Sequence, residues 1–166
     1  YKKALREVDK NKYSAYTIAK SFQDNHLLDY ALKAYKKATE LNVDANYTIQ
    51  IASVYGEKGD VKNMFDTYLN AVELDEKYSK TIIRFIGKFI TDDSESKYNV
   101  LFKSLILKRL QSSPKNAWNE LLSWLFMQQK DFSKAFIQEK ALYKRTLISM
   151  NDIVNVGKIA FDNQDY

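Results

Sequence analysis

Residues 47–76 read Tyr47-Thr-Ile-Gln-Ile-Ala-Ser-Val-Tyr-Gly-Glu-Lys-Gly-Asp-Val-Lys-Asn-Met-Phe-Asp-Thr-Tyr-Leu-Asn-Ala-Val-Glu-Leu-Asp-Glu76. On both sides of the glycines, apolar residues recur at spacings of three and four, which predicts two amphipathic helices. Gly56 and Gly59 interrupt this period and predict a turn, and Asp60 is suited to cap the second helix. A helical hairpin of this size cannot bury its apolar side alone, so it requires neighbouring hairpins.

The chain repeats this unit with a nearly constant period. Ala4, Ala38 and Ala71 recur at almost equal intervals, and Ala19 precedes Ala52 by the same interval. A small residue at such a place fits a close approach of two helices, because a larger side chain would hold the backbones apart. The copies divide one repeat domain, 1–166, into a preceding helix end at 1–10, repeats at 13–45, 46–78, 79–115 and 116–149, and the start of a further repeat at 150–166.

The third repeat departs most from the pattern. Its first helix is predicted over Thr81–Ile90, apolar on nearly all sides, with Gly87 at the close-approach position. The acidic and hydroxyl residues that follow predict a new helix start, for which Asp93 or Ser94 is the expected cap.

The fourth and fifth repeats restore the pattern. The fourth has Ser123 at the small position, a turn over residues 130–132, and Ala135 and Phe136 on its second helix. In the fifth, Gly157 follows Ser123 by one repeat period, and Asp165 and Tyr166 follow the corresponding turn residues of the fourth by the same period.

Composition favours a folded, helical protein. Hydrophobic residues make up 45% of the chain, which has only four glycines and one proline, far fewer turn residues than an all-β fold requires. The net charge of +5 comes mostly from lysine, as expected for a solvated helical surface, and is weakly compatible with nucleic acid or an acidic partner. Cysteine is absent, which excludes disulfides and thiolate metal sites. No apolar run approaches the length of a membrane span.

Catalytic and metal-binding groups are sparse. The single histidine, His26, lies in a predicted turn without a nucleophile or a second ligand nearby. Capping of a helix start explains the cluster Asp92, Asp93 and Glu95 better than a metal site does. The segment Gly56-Glu-Lys-Gly59 lacks the ending of a phosphate-binding loop and joins two helices. We therefore expect no enzyme activity, no cofactor and no metal.

The period, the two-helix unit and the order of small and aromatic residues resemble the tetratricopeptide repeat. The pattern is carried by Ala19, Phe22, Ala31, Tyr35 and Ala38, and again by Ala52, Tyr55, Gly59, Tyr68 and Ala71. The proline that often closes such a unit is replaced by Val43 and Glu76. The resemblance implies an all-α, right-handed α-solenoid of stacked antiparallel hairpins, whose groove binds a peptide segment of a partner protein without catalysis.

First helices of successive repeats are expected to line that groove. The predicted partner-binding residues are Tyr16, Lys20, Gln23 and Asp24 in the first repeat, Ile49, Ser53 and Glu57 in the second, Glu120, Trp124 and Gln128 in the fourth, and Val154, Lys158 and Phe161 in the fifth. Trp124 is either a binding anchor or a side chain packed on the neighbouring helix, and the sequence favours neither. Lys20 lacks the partners that would form a carboxylate clamp for a C-terminal tail, so binding of a chaperone tail is not favoured.

Two alternative functions remain. A helical repeat can bind single-stranded RNA through aromatic and basic groups, but Tyr35, Tyr55 and Tyr68 fall on core positions and arginines are few. The other alternative is self-association into a homo-oligomer through the groove or the ends. The composition resembles that of AT-rich bacterial genomes, and we expect a piece of a longer array because neither end carries a polar capping element. Both cytoplasm and periplasm fit the sequence.

Overall fold

The computed structural model describes residues 2–10, 12–41 and 46–164. Within them the chain is all-α, with ten helices, 81% helical content and no strand, which confirms the all-α part of the predicted fold. The elements are α1 Lys2–Lys10, α2 Lys12–Asp24, α3 Leu28–Leu41, α4 Thr48–Glu57, α5 Val61–Leu74, α6 Tyr78–Ile86, a 3₁₀ turn Gly87–Phe89, α7 Lys97–Ser112, α8 Asn116–Gln128, α9 Phe132–Thr146 and α10 Asn151–Asp162. The predicted pattern positions Val43, Asp165 and Tyr166 lie outside the described residues.

Tertiary contacts divide the chain into two compact units, residues 1–71 (the N-terminal unit) and 72–166 (the C-terminal unit). In the N-terminal unit, α1 packs on both helices of the α2–α3 hairpin, and α3 packs on α4. Ala19, Ala31, Tyr35 and Ala38 are buried where these helices meet. The small side chains of the three alanines allow the close packing that the repeat pattern predicts.

Gly56 plays a different part from the one predicted. It does not break the helix but lies in the last turn of α4, and only Gly59 takes a left-handed conformation, with φ of +75°. A β-carbon built on Gly56 would lie 2.7 Å from Sδ of Met64 on α5. Gly56 therefore provides a close approach between the helices, one turn after Ala52, which is fully buried.

The same turn joins the helices of three hairpins. A residue with positive φ ends the first helix in each case: His26 at 55°, Gly59 at 75° and Lys130 at 57°. The next N–H bonds back to the carbonyl of an aromatic residue five positions earlier, which is the longer bond of a Schellman motif. These bonds are Leu27 N to Phe22 O at 2.8 Å, Asp60 N to Tyr55 O at 2.9 Å and Asp131 N to Phe126 O at 2.9 Å.

An aspartate caps the second helix in two of these hairpins. Oδ1 of Asp60 accepts from the backbone N–H of Asn63 at 3.2 Å, and Oδ1 of Asp131 accepts from that of Lys134 at 3.1 Å. These bonds satisfy N–H groups in the first turn, which have no acceptor within the helix. The predicted cap at Asp60 is confirmed.

In the C-terminal unit, α8 is the central helix. It packs on α6, α7 and α9, and α9 also packs on α10. Trp118, Leu121 and Leu125 on α8 are fully buried. The carboxylate of Glu76 accepts from the N–H of Ala117 at 2.9 Å and so satisfies a donor at the start of α8.

In the third repeat, the structure differs from the prediction in the bounds of the first helix, the role of Gly87 and the cap of the second helix. Helix α6 ends at Ile86, and a β-carbon on Gly87 would meet no heavy atom within 4 Å, so Gly87 is not a close-approach position. Ser96, not Asp93 or Ser94, caps α7 by accepting from the N–H of Asn99 at 3.4 Å.

Asn99 explains the shape of the loop before α7. Its side chain is fully buried, and its Nδ2 donates to the carbonyls of Thr91 at 2.7 Å and Asp93 at 2.8 Å. Its Oδ1 accepts from the N–H of Thr91 at 3.2 Å. Because the loop wraps around this amide, the helix begins after Asp93 and Ser94.

Two residues that fit the repeat pattern near the C-terminal end lie outside the core. Phe136 is 42% exposed, because it lies one residue beyond the buried face of α9 marked by Ala135. Gly157 is exposed, and a β-carbon there would meet no heavy atom within 4 Å. Within the described residues, α10 packs against α9, its buried residue is Val156, and the side that carries Gly157 stays uncovered.

Candidate functional site

A cleft of about 540 Å³ lies in the C-terminal unit, among α6, α8, α9, α10 and the loop before α10. Glu120, Trp124 and Gln128, the three groove residues predicted on α8, all line it. They are four residues apart in sequence, so they occupy one face of the helix. Apolar walls are formed by Ile83, Met127, Leu142, Tyr143, Ile148 and Val156.

Trp124 combines the two roles that the sequence left open. Its ring meets that of Phe102 on α7 edge to face, with centroids 6.4 Å apart and planes at 85°. The side chain is nevertheless only half-buried, and its remaining surface lines the cleft. Trp118, the other tryptophan, is fully buried and lies outside the cleft lining.

Three carboxylates and one lysine line the same cleft: Glu120, Glu139, Asp152 and Lys80. The hydroxyl of Ser79 donates to Oε2 of Glu120 at 3.1 Å. The pKa of Glu139 is raised, mainly because the side chain is partly buried. A hydrogen bond with Ser123 lowers this pKa, and the negative charges of Asp152 and Glu120 raise it. In the part of the chain that the structure describes, none of the three carboxylates forms an ion pair.

The fifth-repeat candidates do not join this cleft. Val154, Lys158 and Phe161 are exposed on α10, whereas the lining residues of α10 are Asp152, Asn155 and Val156.

The candidates of the first two repeats meet in the N-terminal unit. Gln23 on α2 donates to Oε1 of Glu57 on α4, and the hydroxyl of Ser53 donates to the same oxygen at 3.4 Å. The hydroxyl of Tyr35 donates to Oε1 of Gln23 at 3.0 Å, which ties this polar face to the core.

Two further contacts complete this polar face. Lys20 forms an ion pair with Asp24 one turn later on α2, and the hydrogen bond in this pair raises the pKa of Lys20. Tyr16 is 39% exposed and stacks on Tyr47 with centroids 5.8 Å apart. Ile49, two residues after Tyr47 in the first turn of α4, is half-buried. Among the predicted groove residues, Gln23 on α2 therefore bonds to Glu57 on α4, whereas Lys20 and Asp24 pair with each other within α2.

Sequence reasoning missed the contribution of the second helices and loops to the cleft. Glu139 lies on α9, four residues after buried Ala135, so it faces the same side as that core residue. A charged residue one helical turn from a core alanine was therefore the signal that could have indicated a functional role for Glu139. Asp152 reaches the cleft from the start of α10, which no local pattern indicates.

No protein-family model matches the chain, and no curated protein matches it significantly. None of the described helices combines the length and the apolar content needed to cross a bilayer. Among the described residues, no group of histidine, aspartate or glutamate side chains is arranged to hold a metal ion.

Proposed function

We propose that the chain is a tetratricopeptide-like repeat, a right-handed solenoid of stacked hairpins, that binds a peptide segment of a partner protein without catalysis. The recurring turn supports the repeat: residues 26, 59 and 130 take the same left-handed conformation, and each turn bonds back to an aromatic carbonyl. The small residues Ala19, Ala52 and Ser123 are all buried, as close helix packing requires.

The observation that carries the binding function is the cleft beside Trp124. Its volume of about 540 Å³ lies within the range of known ligand sites, about 300–1,000 Å³. It joins apolar walls to a few polar groups, and it contains a half-exposed tryptophan, a residue type that is enriched among binding hot spots. A few side chains of an extended or helical segment fit these dimensions.

The burial of aromatic side chains supports a protein partner over RNA. Tyr35 and Tyr68 are 0% and 3% exposed, so their rings are not available for stacking on bases. Burial raises the pKa of Tyr68 to about 12, as expected for a hydroxyl that is removed from water.

The test is selection of random peptides on the wild-type chain, followed by titration of the enriched peptides while tryptophan fluorescence is recorded. Trp118 is fully buried, so acrylamide quenching reports mainly on Trp124. We expect a bound peptide to shield Trp124 and reduce quenching, and we expect Trp124→Phe to remove this change. Phe136→Ala, which alters an exposed aromatic residue of the same unit outside the cleft, is the matched control and should leave binding unchanged.

Either of two results would overturn the proposal. One is that no peptide is enriched over a protein-free surface. The other is that the enriched peptides bind while acrylamide quenching of the wild-type chain stays unchanged, which would place binding away from Trp124. Circular dichroism of each variant separates loss of binding from loss of fold.

Self-association is the second candidate function, because α10 and the loop before it expose several large apolar side chains. Ile148 is 83% exposed, Phe161 65% and Val154 49%. Burial of such a patch against a second copy would stabilise a dimer. Light scattering over a range of concentrations tests this, and a mass that stays monomeric at all of them would exclude it.

A further inference from the structure

Among the described residues, the acidic groups of the cleft have no cationic partner. Ser79 and Ser123 supply hydroxyl groups to Glu120 and Glu139, and within the described part of the chain no lysine or arginine pairs with either carboxylate. Lys80 lines the cleft but pairs with no carboxylate of the described chain.

The charge of the cleft is opposite to that of the whole chain. Three carboxylates against one lysine leave the lining with a formal charge of −2, whereas the chain carries +5. The excess acid is therefore local, and it lies against apolar walls that include Trp124 and Leu142. Low-dielectric walls strengthen the field of such charges and attract an oppositely charged group.

We infer that the cleft takes a peptide segment in which a lysine or arginine stands beside apolar residues. The cation would neutralise Glu120, Glu139 and Asp152, and the apolar neighbours would pack on Trp124 and Leu142. This inference rests on the proposed peptide-binding function and specifies its ligand. Glu139 is the most buried of the three carboxylates, so the cation that pairs with it is desolvated most and contributes most to selectivity.

The experiment uses the same displayed library of random peptides, selected in parallel on three proteins. They are the wild-type chain, the cleft variant Glu120→Gln/Glu139→Gln/Asp152→Asn, and the control variant Asp92→Asn/Glu95→Gln/Asp162→Asn. The control also removes three negative charges, but it removes them from exposed positions of the C-terminal unit that do not line the cleft. Glutamine can keep the hydrogen bonds with Ser79 and Ser123, so the cleft variant should fold.

We expect peptides selected on the wild type and on the control to be enriched in lysine or arginine next to apolar residues. Their Kd should rise about tenfold or more on the cleft variant and stay nearly unchanged on the control, because charge-assisted bonds are lost only in the former. Wild-type binding should also weaken as salt is added.

Each other outcome has a defined meaning. Enriched peptides without basic residues, or with equal affinity for wild type and cleft variant, would overturn this inference and leave the proposed function intact. Equal loss of affinity in the cleft and control variants would also overturn it, because long-range net charge would then explain the effect. Failure to enrich any peptide would instead overturn the proposed function.

Discussion

Replacement of Gly56 by alanine tests whether close helix approach organises this chain. A new β-carbon would lie 2.7 Å from Sδ of Met64, and ordinary contact begins at 3.4 Å, so the sulfur must move by about 0.7 Å. Met64 is only 2% exposed, which leaves its side chain no solvent to move into. Overpacking of this kind costs about 1–3 kcal/mol.

Helix propensity opposes this cost. Alanine is favoured over glycine by about 1 kcal/mol in a helix interior, and by less in the last turn of α4, where Gly56 lies. The net expectation for Gly56→Ala is a loss of about 1–2 kcal/mol in the free energy of unfolding. Gly157→Ala is the matched control: it adds the same methyl group to a helix, but no atom of the described residues lies within 4 Å of the new β-carbon, so it should stabilise by about 0.5–1 kcal/mol.

Urea denaturation followed by far-ultraviolet circular dichroism measures both effects, and a double-mutant cycle with Met64→Ala isolates the contact. Met64→Ala alone should cost about 2–5 kcal/mol, and less when alanine stands at position 56, because the clash is then relieved. The reasoning is refuted if Gly56→Ala stabilises as much as Gly157→Ala. It is equally refuted if the two substitutions of the cycle add to within about 0.5 kcal/mol.

Three further predictions follow from single side chains. Asn99→Ala should lower the free energy of unfolding by about 1–3 kcal/mol, since two loop carbonyls lose their donor, and urea denaturation measures this loss. His26→Gly and Lys130→Gly should each stabilise by up to about 1 kcal/mol, because glycine takes a positive φ without strain; a loss at both sites would contradict the turn geometry. The folded pKa of Glu139 is raised, so wild-type stability should fall as pH rises from the ordinary value of 4.5 through the raised pKa. Urea denaturation at several pH values should show Glu139→Gln without that decline, and parallel curves for both proteins would contradict the assignment.

Local signals in the sequence predicted the helices and their turns well. The repeats predicted at 13–45 and 116–149 correspond to the hairpins α2–α3 and α8–α9, and the cap at Asp60 follows from its place after a glycine. The turn at Lys130 was placed by its spacing from earlier turns, although lysine itself carries no preference for positive φ. The repeat period therefore predicted the position of this turn, which the residue type alone did not indicate.

Tertiary contacts account for the errors. Nothing near Gly56 in sequence distinguishes a turn glycine from one that admits Met64, because the sulfur arrives from the next helix. Helix α7 is capped by Ser96 because the buried amide of Asn99 binds the loop before it. The sequence did not indicate this, since a polar residue on a helix is normally expected to be exposed. On α8 the predicted groove residues do line one cleft, but its acidic character depends on α9 and α10.

Glu139 links binding to the stability of the free chain. Its carboxylate is half-buried close enough to Asp152 and Glu120 for their charges to raise its pKa, so its ionised form disfavours folding at neutral pH. If Glu139 only packed in the folded chain, replacing it by glutamine would cost no stability and no binding, since glutamine can keep the hydrogen bond with Ser123. If a cationic partner neutralises the cluster, the same replacement must raise stability and weaken binding together. Opposite signs of the two effects for Glu139→Gln would thus distinguish a binding group from an unfavourable but functionless buried acid, for which stability rises and peptide affinity stays constant.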